Sequence, residues 1–140
     1  MSTSGYFATP ISVYSKKFEG LKETIVSYAD TQKEDVESGV AVSLKHNLKD
    51  SKIDFLHKED KVIQDLRQWI LECWKLTIES VHKKDVNFDY FIPESWYHIT
   101  EKDGYHETHY HANCSWCGIY YVDDINRTHE RLELIIEWYN

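Results

Sequence analysis

Between residues 60 and 82, apolar side chains recur in steps of three and four. Val62, Ile63, Leu66, Trp69, Ile70, Cys73, Trp74, Thr77, Ile78 and Val81 carry the pattern. This period predicts an amphipathic helix. Asp60 suits its N-cap, and His82-Lys83-Lys84 suits the negative end of its dipole. Trp69, Trp74 and Ile78 are expected on the stripe that covers a β-layer. Cys73 falls on the same stripe, where a cysteine behaves as a small hydrophobe. A shorter helix is predicted over residues 16–30, where Phe18, Leu21, Ile25, Val26 and Tyr28 fall near the same spacing. Residues 6–14 are apolar and β-branched, and Pro10 restricts them to an edge strand or a strand entrance. Residues 31–38 read as a polar loop and 39–44 as a short strand, while 45–58 show no clear period.

After residue 85 the pattern changes from helical to alternating. Residues 86–92, 95–101, 105–111 and 116–123 all read as strands. Asp103-Gly104 is a two-residue hairpin signal. The last stretch, residues 123–140, reads as a short helix with Leu132, Ile135, Ile136 and Tyr139 on one side. The expected fold class is α+β. A single domain, 1–140, divides into a mainly helical part (1–85), a β part (86–123) and an atypical tail (124–140).

Composition narrows the function classes. Hydrophobic residues are 41% and charged residues 29% of the 140, so the chain as a whole is not of disordered composition. A net charge of −8 with no Lys/Arg run argues against nucleic acid or an anionic membrane surface as partner. No apolar run approaches the roughly 20 residues that span a bilayer. The first residues lack a basic stretch followed by an apolar one, and three cysteines do not make a disulfide framework. A soluble, cytoplasmic protein is expected. Aromatics at 14% suggest a well-packed core or an aromatic-lined pocket.

Candidate chemistry concentrates in Tyr105-His-Glu-Thr-His-Tyr-His111. Residues two apart share a strand face, so His109 and His111 are placed to share one metal ion. Imidazole suits zinc, copper, iron and nickel. A hairpin at Asp103-Gly104 would set His98 opposite His109 and Trp96 opposite His111. His98 is then either a third ligand or a hydrogen-bond partner behind the ligands. A competing set, His109-x-His111-x-x-Cys114-x-x-Cys117, holds four zinc donors. It is compressed into nine residues, which an extended strand cannot wrap around one ion. Cys114-Ser-Trp-Cys117 also fits a redox pair, but no βαβ unit surrounds it.

The stretch Ser95-Trp-Tyr-His-Ile-Thr, then Gly104, then His109-Tyr-His-Ala-Asn-Cys-Ser-Trp-Cys-Gly-Ile-Tyr-Tyr-Val122 resembles a known family. It is similar to the 2-oxoglutarate/iron(II)-dependent oxygenases of marine bacteria and their phages. Their pattern runs Ser-Trp-x-Asn-x, a glycine turn, His-x-His-Pro-Asn, then Ser-Gly-Val-Tyr-Tyr-Val. Phe7-Ala-Thr-Pro10 matches a frequent opening of the family, and a long helix precedes its Ser-Trp strand. The resemblance covers about residues 6–123.

The resemblance implies part of a double-stranded β-helix, or jelly-roll, with Fe(II) at its mouth and 2-oxoglutarate as co-substrate. Oxidative decarboxylation of that co-substrate would drive hydroxylation of a small molecule or peptide. His109 matches the family's first histidine. His111 stands where a carboxylate is usual, and either ligates as a further imidazole or lies just outside the shell. Tyr120 and Tyr121 match the paired tyrosines: one lines the co-substrate pocket, or one packs in the core and the other faces out. Three positions depart from the pattern, at His98, Ala112 and Cys117. The family also continues well past its Tyr-Tyr-Val strand, with a distal histidine and a basic residue for the co-substrate carboxylate. In the tail, His129 is the remaining candidate third ligand, and Arg127 and Arg131 are the nearby bases. The expectation is therefore a dioxygenase fold that is short of its full site and weakly active or inactive. The alternative is a non-enzymatic or zinc-binding module using His109, His111, Cys114 and Cys117. A partial barrel would leave strand edges open, so homodimerisation by edge pairing is also expected.

Overall fold

The computed structural model describes residues 9–31, 45–50, 54–82, 91–106, 115–122 and 131–138. Helix α1 spans Leu21–Thr31 and helix α2 spans Lys61–His82. The strands are β1 (Lys45–Asp50), β2 (Glu94–His106), β3 (Trp116–Tyr121) and β4 (Arg131–Trp138), and a 3-10 turn covers Phe55–His57.

Gly20 opens α1 with φ at 80°, a backbone region that costs glycine nothing and other residues a steric penalty. The Thr24 hydroxyl donates to the Gly20 carbonyl at 2.8 Å. At the start of α2, the Asp60 carbonyl accepts the Gln64 N–H at 2.9 Å, the first bond of the helix ladder. The Asp60 carboxylate accepts the Tyr28 hydroxyl and so ties α1 to α2. That hydrogen bond, then burial, raises the Tyr28 pKa above its ordinary value. One side of α2 is buried: Ile63, Leu66, Ile70, Trp74, Thr77 and Ile78. Its outer side carries Lys61–Asp65 and Lys75–Glu79 pairs one turn apart, the spacing at which opposite charges support a helix. The predicted stripe is thus present. Trp74 and Ile78 are buried, while Trp69 packs half-buried against the same core. Cys73 is half-buried, and desolvation raises its thiol pKa.

The strands form one antiparallel sheet in the order β1-β2-β4-β3. Strand β4 lies between β2 and β3, which therefore run parallel to each other on its two sides. Register fixes rows across the sheet. Ser95, Ile136 and Gly118 share one row, and Tyr97, Leu134 and Tyr120 share another. These rows belong to the face that meets the helices. There Tyr97 and Ile136 join Leu21, Ile25, Phe55, Leu56 and the α2 stripe in the core. Phe55 meets Tyr97 edge-on at 5.2 Å. Phe18, Trp69 and Tyr120 form a second edge-to-face group, with centroids 5.7 to 6.1 Å apart. Such pairs add about 0.5–1.5 kcal/mol each beyond their buried area.

Four local expectations change. Residues 9–14 form no strand, and Ile11 and Val13 are 83% and 89% exposed; Pro10 brings no N–H to a ladder, and no burial rewards the β-branched side chains. Residues 45–58, without a readable period, contain β1 and the 3-10 turn. Asp103-Gly104 does not close a hairpin, because β2 continues to His106. His46 pairs with Tyr105 and Leu48 with Thr100, so Asn47 alone stands opposite residues 101–104. The turn-forming dipeptide is accommodated in a large bulge. Within the tail, residues 131–138 are not helical but form β4, paired on both sides; residues 123–130 and 139–140 lie outside the described residues. The strand predicted at 39–44 lies outside the described residues, as does most of the one predicted at 86–92, of which Phe91 and Ile92 are described and belong to no strand.

Candidate functional site

The family-like segment divides between the two faces of the sheet. Ser95 is fully buried on the helix side, where its Oγ accepts the Leu56 N–H at 2.9 Å. This bond holds the 3-10 turn against β2. Tyr120 also lies on that side. Its hydroxyl donates to the Lys16 carbonyl at 2.7 Å, and its ring packs on Phe18 and Trp69. Burial raises its pKa. Both residues support the scaffold.

The opposite face carries Trp96, His98 and Thr100 from β2, and Cys117, Ile119 and Tyr121 from β3. Register places Trp96, Ile135 and Ile119 in one row, and His98, Glu133 and Tyr121 in the next. On the β1 side, His98 is opposite Asp50. A histidine therefore has an acidic residue at the paired position on both neighbouring strands. This face is closed at one side and open at the other. His98 and Thr100 are 6% and 8% exposed, whereas Ile119 and Tyr121 are 51% and 50% exposed.

The Trp96 indole N–H donates to His98 Nε2. An indole nitrogen can only donate, so Nε2 must accept, and the proton of the neutral imidazole sits on Nδ1. The ring is thereby fixed in one tautomer. While this bond holds, Nε2 is not a metal ligand. The hairpin geometry that would have set His98 opposite His109 is absent, since β1 and β4 are the neighbours of β2.

His109, His111 and His129 lie outside the described residues, as does Cys114. Among the described residues, no group of three His, Cys, Asp or Glu side chains is arranged to hold a metal ion. The described residues thus do not by themselves make an iron site. Of the two tyrosines expected near a co-substrate, Tyr121 shares the face of Trp96 and His98, while Tyr120 is on the other. Cys117 is exposed at the start of β3, on the Tyr121 side.

The Asp50–His98–Glu133 row was not visible in the sequence. Its signal was the alternation Leu132, Leu134, Ile136, Trp138, which marks β4 and supplies the partner of β2. Among the described residues, no helix is long and apolar enough to cross a membrane. No protein-family model, curated protein or solved structure matches the chain.

Proposed function

We propose that the chain is a protein of the 2-oxoglutarate/iron(II)-dependent dioxygenase type, built on part of a jelly-roll, with His109 and His111 as its metal ligands. The supporting observation is the register of the motif strands. Ser95-Trp96 and Gly118-Ile119-Tyr120-Tyr121 flank one strand, so Trp96 and Ile119 pair with the same residue, Ile135. The His-x-His segment lies between them in the sequence. Bound iron and 2-oxoglutarate would supply oxidative decarboxylation coupled to C–H hydroxylation of a small molecule or peptide. On this reading Trp96 and His98 stiffen the wall beside the ligands, Tyr121 lines the cavity, and Ser95 and Tyr120 anchor the two strands to the helices. His129 is the candidate third ligand.

Anaerobic titration with Fe(II) and 2-oxoglutarate tests the reading through the visible charge-transfer band of the chelate. The band is expected for the native chain and lost in His109→Ala and His111→Ala. No band at saturating metal overturns it. A second reading rests on Cys117, which is exposed on the Tyr121 face and would complete a zinc set with His109, His111 and Cys114. Tightly held zinc that is lost in Cys114→Ser and Cys117→Ser would establish that module instead.

A further inference from the structure

The two edges of the described sheet differ in chemistry. Strand β1, Lys-His-Asn-Leu-Lys-Asp, carries two lysines and an aspartate, and its ladder is interrupted by the bulge opposite Asn47. Charge and irregularity are devices that keep an edge from pairing with another chain. Strand β3, Trp-Cys-Gly-Ile-Tyr-Tyr, has no charged residue and no proline, and its register with β4 is unbroken. Among the described strands, only β4 pairs with it. Ile119 and Tyr121 project from it half-exposed, on the face away from the helices.

We infer that β3 is a self-association edge, and that two copies of this chain join their sheets by antiparallel β3–β3 pairing about a two-fold axis at Ile119. The inference is independent of the dioxygenase reading. Edge-to-edge antiparallel pairing of identical strands requires an axis perpendicular to the sheet, which keeps the same face of each copy on the same side. Paired residues must then share a face. An axis at Ile119 meets this condition and pairs residues 117–121, five of the six in the strand. Ile119 lies opposite Ile119 of the partner subunit, and Cys117 opposite Tyr121 of the partner subunit. Gly118 lies opposite Tyr120 of the partner subunit, an aromatic across a strand glycine. No like charges are brought together. The same operation centred on Asn47 of β1 would set Lys45 opposite Lys49 of the partner subunit, and like charges placed opposite each other destabilise a pair. A second copy is therefore the occupant that fits the uncharged edge. Two chains of charge −8 repel, so association is expected to strengthen with added salt. One six-residue edge buries less than a standard interface, which makes the dimer a transient one.

Sedimentation velocity over a wide concentration range, at low and high salt, reads the mass. The expected result is a concentration-dependent shift from 16.7 kDa toward twice that mass, larger at high salt. Ile119→Lys should weaken association by at least about tenfold with unchanged circular dichroism, because the side chain is half-exposed in the single chain. Register is read by oxidative cross-linking. Ile119→Cys in a Cys117→Ser background, and Tyr121→Cys with Cys117 present, should each give a disulfide-linked dimer, and Cys117→Ser alone should not. A chain that stays at its monomer mass throughout overturns the inference, including the case in which β3 amides are protected by another segment of the same chain. A dimer unaffected by Ile119→Lys overturns it as well.

Discussion

The two faces of the sheet solve different problems with neighbouring residues of the same strands. On the helix side, Ser95, Tyr97 and Tyr120 alternate with Trp96, His98 and Tyr121 on the other. In the first set, Ser95 and Tyr120 spend their polar atoms on the scaffold, on Leu56 and Lys16. The second set holds a part-buried Trp96–His98 pair beside half-exposed Ile119 and Tyr121. A motif that reads as one functional string is therefore half support and half candidate chemistry. The strand period decides which residue does which.

Substitutions on the two faces should separate accordingly. The largest effect is expected from Trp74→Ala, which empties the centre of the α2 stripe and should cost about 3–5 kcal/mol in equilibrium unfolding. A loss under about 1 kcal/mol would remove Trp74 from the core and with it the helix-covered face. Ser95→Ala should cost about 1–3 kcal/mol, because the buried Leu56 N–H loses its acceptor. Metal binding should be retained in the folded fraction; a selective loss of metal in a stable Ser95→Ala chain would move Ser95 to the other side of the comparison.

The paired tyrosines give a smaller and more direct contrast. Tyr120→Phe removes the bond to the Lys16 carbonyl and should cost about 0.5–1.5 kcal/mol. Tyr121→Phe should change stability by less than about 0.5 kcal/mol, and any effect should appear in the chelate band instead. Equal stability losses from the two would erase the distinction between the faces.

The smallest effect is expected in alkali. Tyr28, Tyr97 and Tyr120 all have raised pKa values: Tyr28 first through its hydrogen bond to Asp60, the other two through burial. A tyrosine whose folded pKa exceeds its unfolded value, about 10, contributes stability that is fully present below the unfolded value. That contribution is lost as pH rises through the folded pKa. Stability should therefore fall above pH ~10, and Tyr28→Phe should flatten the fall in urea titrations at successive pH values. An unchanged slope would show that the Tyr28–Asp60 contact is not maintained in solution.

Helix α2 was legible in the sequence because its 22 residues sample several turns of one period, and no strand pattern imitates that. Strand β3 was legible as a short uncharged run rich in aromatic residues, ended by Asp123-Asp124. Strand β4 was not. Over eight residues, Leu132, Ile135 and Ile136 suit a helix face, while Leu132, Leu134, Ile136 and Trp138 suit a strand face. Only the partners on both sides settle the matter. Asp103-Gly104 misled because its turn chemistry serves a bulge as well as a hairpin. Tyr120 and Tyr121 are adjacent in a strand and so fall on opposite faces, but the sequence does not say which ring meets Trp69. His98 was singled out, yet its neighbours come from strands that no local pattern connects.

The placement of β4 also bears on how the chain is made. A ribosome delivers β1, α2, β2 and β3 in that order, and the strand that joins β2 to β3 only after all of them. Until residues 131–138 are synthesised, β3 lacks its described neighbour and the core lacks Ile136. The helices can form early from local contacts, but the sheet must wait for a distant one, and non-local pairing is slow. The nascent chain therefore passes through a stage in which the uncharged β3 strand lacks the partner that β4 supplies.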